Sequence, residues 1–132
     1  MTEAASNAEI VRRGYTAFNS ADMETLAEIF DDAASWHTPG RSPVAGDAIG
    51  RDAVFARFAQ YGIQSEGTFQ AELHEILSSD RGAVVGIHRN TAKRNGNELD
   101  TLCCIVFQLR NGQIISGHEY IDDLHQWDAF WS

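Results

Sequence analysis

The sequence predicts an α+β fold in which three N-terminal helices cover one face of an antiparallel meander and a short helix closes the chain. Apolar residues recur at helical spacing from Val11 to Tyr61, and the period changes to two from Thr68 onward. Asn-Gly pairs stand where the second pattern must reverse direction.

In the first helix Val11, Tyr15 and Phe18 share a face; in the second Leu26, Ile29 and Phe30 do, with Asp22 between the helices as N-cap. The chain then enters a strand carrying Trp36 and stops at Pro39-Gly40. Residues 40–50, GRSPVAGDAIG, read as a loop at the mouth of a pocket, punctuated by Pro39 and Pro43. The third helix, RDAVFARFAQY, aligns Val54, Phe55, Phe58 and Tyr61, and its phenylalanines are candidate pocket wall. Strands are expected at 68–78, 82–94, 98–109 and 113–122, joined through Asp80-Arg81-Gly82, Asn95-Gly96 and Asn111-Gly112. The closing LHQWDAFW forms a helix that caps the sheet with Leu124, Trp127 and Phe130 or Trp131, while the opening MTEAAS reads as a loose arm.

A chain of 132 residues forms one domain, 1–132, that buries roughly two thirds of its unfolded surface. Its formal charge of −9, with no local stripe of Lys or Arg, argues against nucleic acid and against an anionic membrane surface. No signal-peptide core and no apolar run near the ~20 residues of a membrane helix is present, which predicts a cytoplasmic protein. Cys103 and Cys104 are neighbours on a strand, point to opposite faces and read as free thiols. Without a CxxC pair or an HExxH helix, and with His88, His118 and His125 at no metal-ligand spacing, neither metal nor other cofactor is expected.

Both faces of the meander are apolar. In the third run Leu99, Thr101, Cys103, Ile105 and Phe107 point one way, and Leu102, Cys104 and Val106 the other. The helices can cover only one face, so the second, with Val85, Ile87 and Tyr120, predicts a homodimer packed through the outer sheet.

Hairpin arithmetic isolates one constellation. A two-residue turn at Asn95-Gly96 sets His88 opposite Cys103, and a three-residue loop at Arg110-Asn111-Gly112 sets Cys103 opposite Glu119. The three then form a row on the helix-covered face, beside Ile105, Phe107 and Ile121, with the backbones of His88 and Glu119 roughly 10 Å apart. In an apolar cavity this pair is either a shared-proton acid/base unit or a mutually satisfied buried pair. Cys103 becomes a nucleophile only if His88 lowers its pKa. Trp36 is core or pocket wall, Asp122 and Asp123 end the last strand and cap the final helix, and His118 faces outward or into an interface. Asp31, Asp32 and Asp47 read as solvated charges.

The run VRRGYTAFNSADMETLAEIFDDAASWHTPG, residues 11–40, resembles the start of the nuclear transport factor two-like superfamily, which includes ketosteroid isomerase, limonene epoxide hydrolase and the SnoaL-like polyketide cyclases. The resemblance implies a cone-shaped α+β fold around a pocket, and a dimer. The isomerase's oxyanion tyrosine, general base and protonated acid would fall at Gly14, Thr38 and Ile105, so none is retained; Tyr15 and His37 are each one position away. In the hydrolase pattern the water-activating aspartate maps to Glu119 within GHEYID, the acid to His88, the arginine to Gly86, and the water-orienting pair to Trp36 and Thr38.

The resulting expectation is a small cofactor-free enzyme, with His88 and Glu119 moving protons on a small apolar or cyclic ligand. Tyr15, Phe18, Trp36, Thr38, Phe55 and Phe58 would form one side of its site, and Thr101, Cys103, Ile105, Phe107, Ile121 and Trp127 the other. The competing expectation is a non-catalytic ligand-binding or dimerisation module on the same fold.

Overall fold

A computed structural model describes residues 2–132; Met1 lies outside the described residues. The elements run α1 (Glu3–Asn19), α2 (Met23–Ile29), β1 (Phe30–Thr38), β2 (Gly46–Ile49), α3 (Arg51–Gln64), β3 (Gln70–Ser78), β4 (Ala83–Arg94), β5 (Asn97–Arg110), β6 (Gln113–Ile121) and α4 (Leu124–Trp131). The six strands form one curved, open sheet in the order β2-β1-β6-β5-β4-β3.

The helices start where side-chain acceptors meet free backbone N–H groups. Asp22 accepts from Thr25 N at 3.1 Å and Asp123 from Gln126 N at 3.0 Å, as their sequence positions implied. Thr2 Oγ1 accepts from Ala5 N at 3.1 Å and Ser78 Oγ donates to Ala4 O at 2.7 Å, so helix replaces the expected loose arm from Glu3 onward. No described helix is long and apolar enough to cross a membrane.

Two features of the sheet differ from the sequence reading. The 40–50 segment is not all loop, because β2 pairs antiparallel with β1, burying Ala48 against the core and turning Asp47 out toward His37. The sheet is also mixed, since β1 runs parallel to β6. A hairpin pattern shows only sequential neighbours, whereas β1 and β6 meet after a long crossover.

The β4–β5 register matches the arithmetic, with His88 opposite Cys103 across the Asn95-Gly96 turn. The next one does not. Asn111 and Gly112 form a two-residue turn with φ of 52° and 77°, and a bulge between Gln108 and Leu109 adds a residue. Ile105 is therefore opposite Glu119, and Cys103 opposite Ile121. The offset from expectation is two residues, an even number, so Glu119 stays on the helix-covered face while the His88–Cys103–Glu119 row disappears.

Two glycines shape the core by what they lack. Trp36 from β1 lies over Gly117 of β6, and Tyr15 from α1 lies over Gly86 of β4; a Cβ at Gly117 would overlap the indole ring, and one at Gly86 the Tyr15 hydroxyl and the ring edge beside it. Around them Phe30, Trp36, Phe58 and Phe107 pack edge to face or tilted, and Trp127 and Trp131 of α4 pack on Tyr61 and Phe69. On the outer face Leu102 and Tyr120 remain exposed.

Gly117→Ala should accordingly cost about 1–3 kcal/mol through overpacking, measured by urea denaturation. Gly62→Ala in α3 meets open space and should be neutral or stabilising by about 0.5–1 kcal/mol.

Candidate functional site in the cone

A cavity of about 50 Å3 lies between the helices and the concave sheet, with room for about three to five waters. Its walls are mainly apolar: Val11, Gly14 and Phe18 from α1, Leu26 from α2, Phe58 from α3, and Phe30, Phe69, Ala71, Ile105, Phe107 and Ile114 from the strands and their borders. Residues with polar side chains border it at two places, Trp36, Tyr61 and Glu119 at one and Tyr15, His88 and Asn90 at the other.

Glu119 is 3% exposed, and three donors converge on its Oε2: Tyr61 Oη at 2.5 Å, Trp36 Nε1 at 2.7 Å and Thr38 Oγ1 at 3.1 Å. Arg57 donates to Thr38 Oγ1 at 2.9 Å, which carries positive charge to the edge of the group without touching the carboxylate. Oε1 accepts none of these bonds. The polar side-chain atoms sealed without a partner among the described residues are the indole nitrogens of Trp127 and Trp131, so Oε1 is left to the cavity that Glu119 borders. Burial raises the Glu119 pKa above 4.5, opposed by the donated bonds and by Arg57. Burial and the Glu119 charge push Tyr61 upward in turn, keeping its hydroxyl protonated as a donor.

At the other pole His88 is 2% exposed, with Nδ1 2.7 Å from Tyr15 Oη and Nε2 2.7 Å from Asn90 Oδ1. Asn90 Nδ2 donates to Thr101 Oγ1 at 3.3 Å. Burial holds His88 down at about 4, so the imidazole is neutral near neutral pH. Cys103 moves the opposite way: burial and then the Glu119 charge push its thiol up, so the condition for a nucleophilic cysteine is not met.

Residues 11–117 match the family model of the SnoaL-like domain. The chain belongs to the SnoaL-like family. An uncharacterized protein of Mycobacterium tuberculosis is 30% identical over 124 residues, 94% of this chain and 95% of that one. The solved structure of Bal32a, from a soil-derived mobile gene cassette, is 60% identical with a TM-score of 0.98, covering 99% of this chain and 100% of that one. An NTF2-like protein from Burkholderia xenovorans shares the fold at 20% identity and a TM-score of 0.81, with 98% and 99% covered.

Within this SnoaL-like cone, Tyr15, Phe18, Trp36, Phe58, His88, Ile105, Phe107 and Glu119 border the cavity. Six other expected ligand contacts do not. Thr38 stands behind Glu119, Thr101 behind Asn90, and Phe55 behind Phe30 and Phe58. Cys103 and Ile121 pair with each other across β5 and β6, and Trp127 packs behind Tyr61 and Phe69. These residues face inward, but the layer in front of them fills the space. His88 and Glu119 are also not bonded to one another, because the two-residue register offset gives each its own partners.

Sequence reasoning missed Tyr61 and Asn90 as polar members of the site. Tyr61 follows Phe58 by three residues on α3, and Asn90 follows His88 by two on β4, so both shared a face with expected site residues. Nothing local revealed their hydrogen-bond partners.

Two titrations of opposite sign follow. Between 4.5 and the raised pKa of Glu119 the native state holds the extra proton, so stability falls as pH rises through that window. Glu119→Gln removes this dependence, and its stability relative to the parent should climb with pH above 4.5 and then level off, as read from urea midpoints over a pH series. His88 is depressed from 6.5 to about 4, so stability is lost as pH falls between those values, by up to about 3 kcal/mol. His88→Gln should flatten the acid limb.

Proposed function

We propose that this SnoaL-like domain is a cofactor-free acid/base enzyme that transfers protons on a small apolar or cyclic ligand held in the cone. The observation that carries the reading is the asymmetry at Glu119: three donors secure Oε2, and Oε1 is left to face the ligand space. A carboxylate fixed in this way exchanges a proton at a known atom, and burial raises its pKa toward the range useful for general acid/base work. No ion pair among the described residues includes Glu119, which further supports a working group over a structural salt bridge. His88 and Tyr15 form the second polar contact, and the remaining wall is mainly aromatic and aliphatic.

Ligand binding without turnover is favoured by one observation, that the polar side chains at both poles already have protein partners. Screening small cyclic ketones, epoxides and polyketide-like aromatics separates the readings. For any compound turned over, Glu119→Gln should lower the rate by about 10²–10⁴-fold with little loss of binding. Undiminished turnover removes Glu119 from the mechanism, and binding without turnover of any bound compound establishes the second reading.

We further propose that the chain is a cytoplasmic homodimer packed through the outer sheet face, since Leu102 and Tyr120 are exposed there beside Val85, Ile87 and Val106. Sedimentation equilibrium should show a dimer that Val106→Glu weakens by placing an unpaired charge in the interface.

A further inference from the structure

The direction of each hydrogen bond around the cavity limits what a ligand can bring. Asn90 Oδ1 can only accept, so the contact of 2.7 Å to His88 puts a proton on Nε2. The neutral ring has one N–H, which leaves Nδ1 bare and makes it the acceptor of the Tyr15 hydroxyl at 2.7 Å. Tyr15 has no second proton, so its oxygen offers only lone pairs to the cavity. Asn90 is held in this orientation by its amide nitrogen, which donates to Thr101 Oγ1 and lies beside the Cys103 thiol.

The other pole has the same polarity. The Trp36 N–H and the Tyr61 O–H both donate to Glu119 Oε2, and the Glu119 oxygen without a partner is an acceptor whenever the carboxylate is ionised. The hydrogen-bond donors bordering the cavity are therefore turned toward protein acceptors. What remains for a ligand is the oxygen of Tyr15 and Oε1 of Glu119, among aromatic and aliphatic walls.

We propose that the Tyr15 end of the cavity is a subsite for a hydroxyl donor, so that the site selects a neutral ring bearing an alcohol, phenol or enol O–H over the matching ether, ketone or carboxylate. His88 and Asn90 act as positioning residues that fix which way Tyr15 points its proton. This rests on the reading of the cone as a ligand site and adds the chemical class of the ligand. A carbonyl or ether oxygen would face the lone pairs of Tyr15 with no proton between them, and a carboxylate would also meet the charge of Glu119.

The test has two arms on the full chain. Long-range 1H–15N correlation of the labelled protein at neutral pH reads the His88 tautomer directly, with the proton expected on Nε2; a proton on Nδ1 overturns the proposal and leaves the cavity reading intact. Binding of phenol, anisole, cyclohexanol, cyclohexanone and benzoate is then measured by calorimetry. Phenol and cyclohexanol should bind about threefold to tenfold more tightly than anisole and cyclohexanone, with benzoate weakest. In Tyr15→Phe the phenol-to-anisole ratio should fall to about one while anisole still binds. If the ether and ketone bind as well as their hydroxyl partners in the parent protein, the subsite is refuted and the ligand site stands. If none of the five binds, both fall.

Discussion

The buried carboxylate of Glu119 is the constraint around which the interior is organised. A charge in so apolar a space costs several kcal/mol unless donors surround it, and the three donors to Oε2 come from β1 and α3, which lie far apart in sequence. The carboxylate thus fixes the approach of α3 to β1. It also holds Thr38 where Arg57 can donate to it, and Arg57 reaches Gly46 O as well, tying β2 into the same arrangement. The geometry at this pole follows from one solvation requirement that β1 and α3 meet together.

The second pole is built on shape as much as on charge. Tyr15 reaches His88 because the sheet beneath its ring is Gly86, and Trp36 reaches Glu119 across Gly117. Both glycines lie in strands, where a residue without a side chain weakens packing unless another group approaches closely. Here two aromatic rings do so, and their polar ends then meet the polar groups of β4 and β6. The two-residue turn at Asn111-Gly112 and the bulge near Leu109 together move Glu119 two residues from the row with His88, giving two separate polar poles in place of one coupled pair.

The outer face follows different rules. His37 Nδ1 donates to Asp47 Oδ1 at 2.6 Å and its ring stacks on His118, which stacks on Tyr120, forming a row across β2, β1 and β6. The central strands show Leu102, Val106, Val85 and Ile87, with the Arg89–Asp100 pair beside them. Burial pattern alone therefore distinguishes a face closed by the protein's own helices from one left open.

The sequence by itself determined the order of the elements other than β2, the faces of the meander strands and the capping of the second and last helices, because these depend on local periodicity and on residues within a few positions of one another. It also determined that His88 and Glu119 face inward, since an even register offset cannot turn a side chain around. Only the tertiary structure decided that the two are not partners. It alone showed that Tyr61 and Asn90 border the cavity, that Thr38, Phe55, Thr101, Cys103, Ile121 and Trp127 do not, and that β1 runs parallel to β6. Those outcomes depend on a bulge, a crossover and the convergence of donors from distant segments, and a linear pattern carries no distance between residues that meet only after folding.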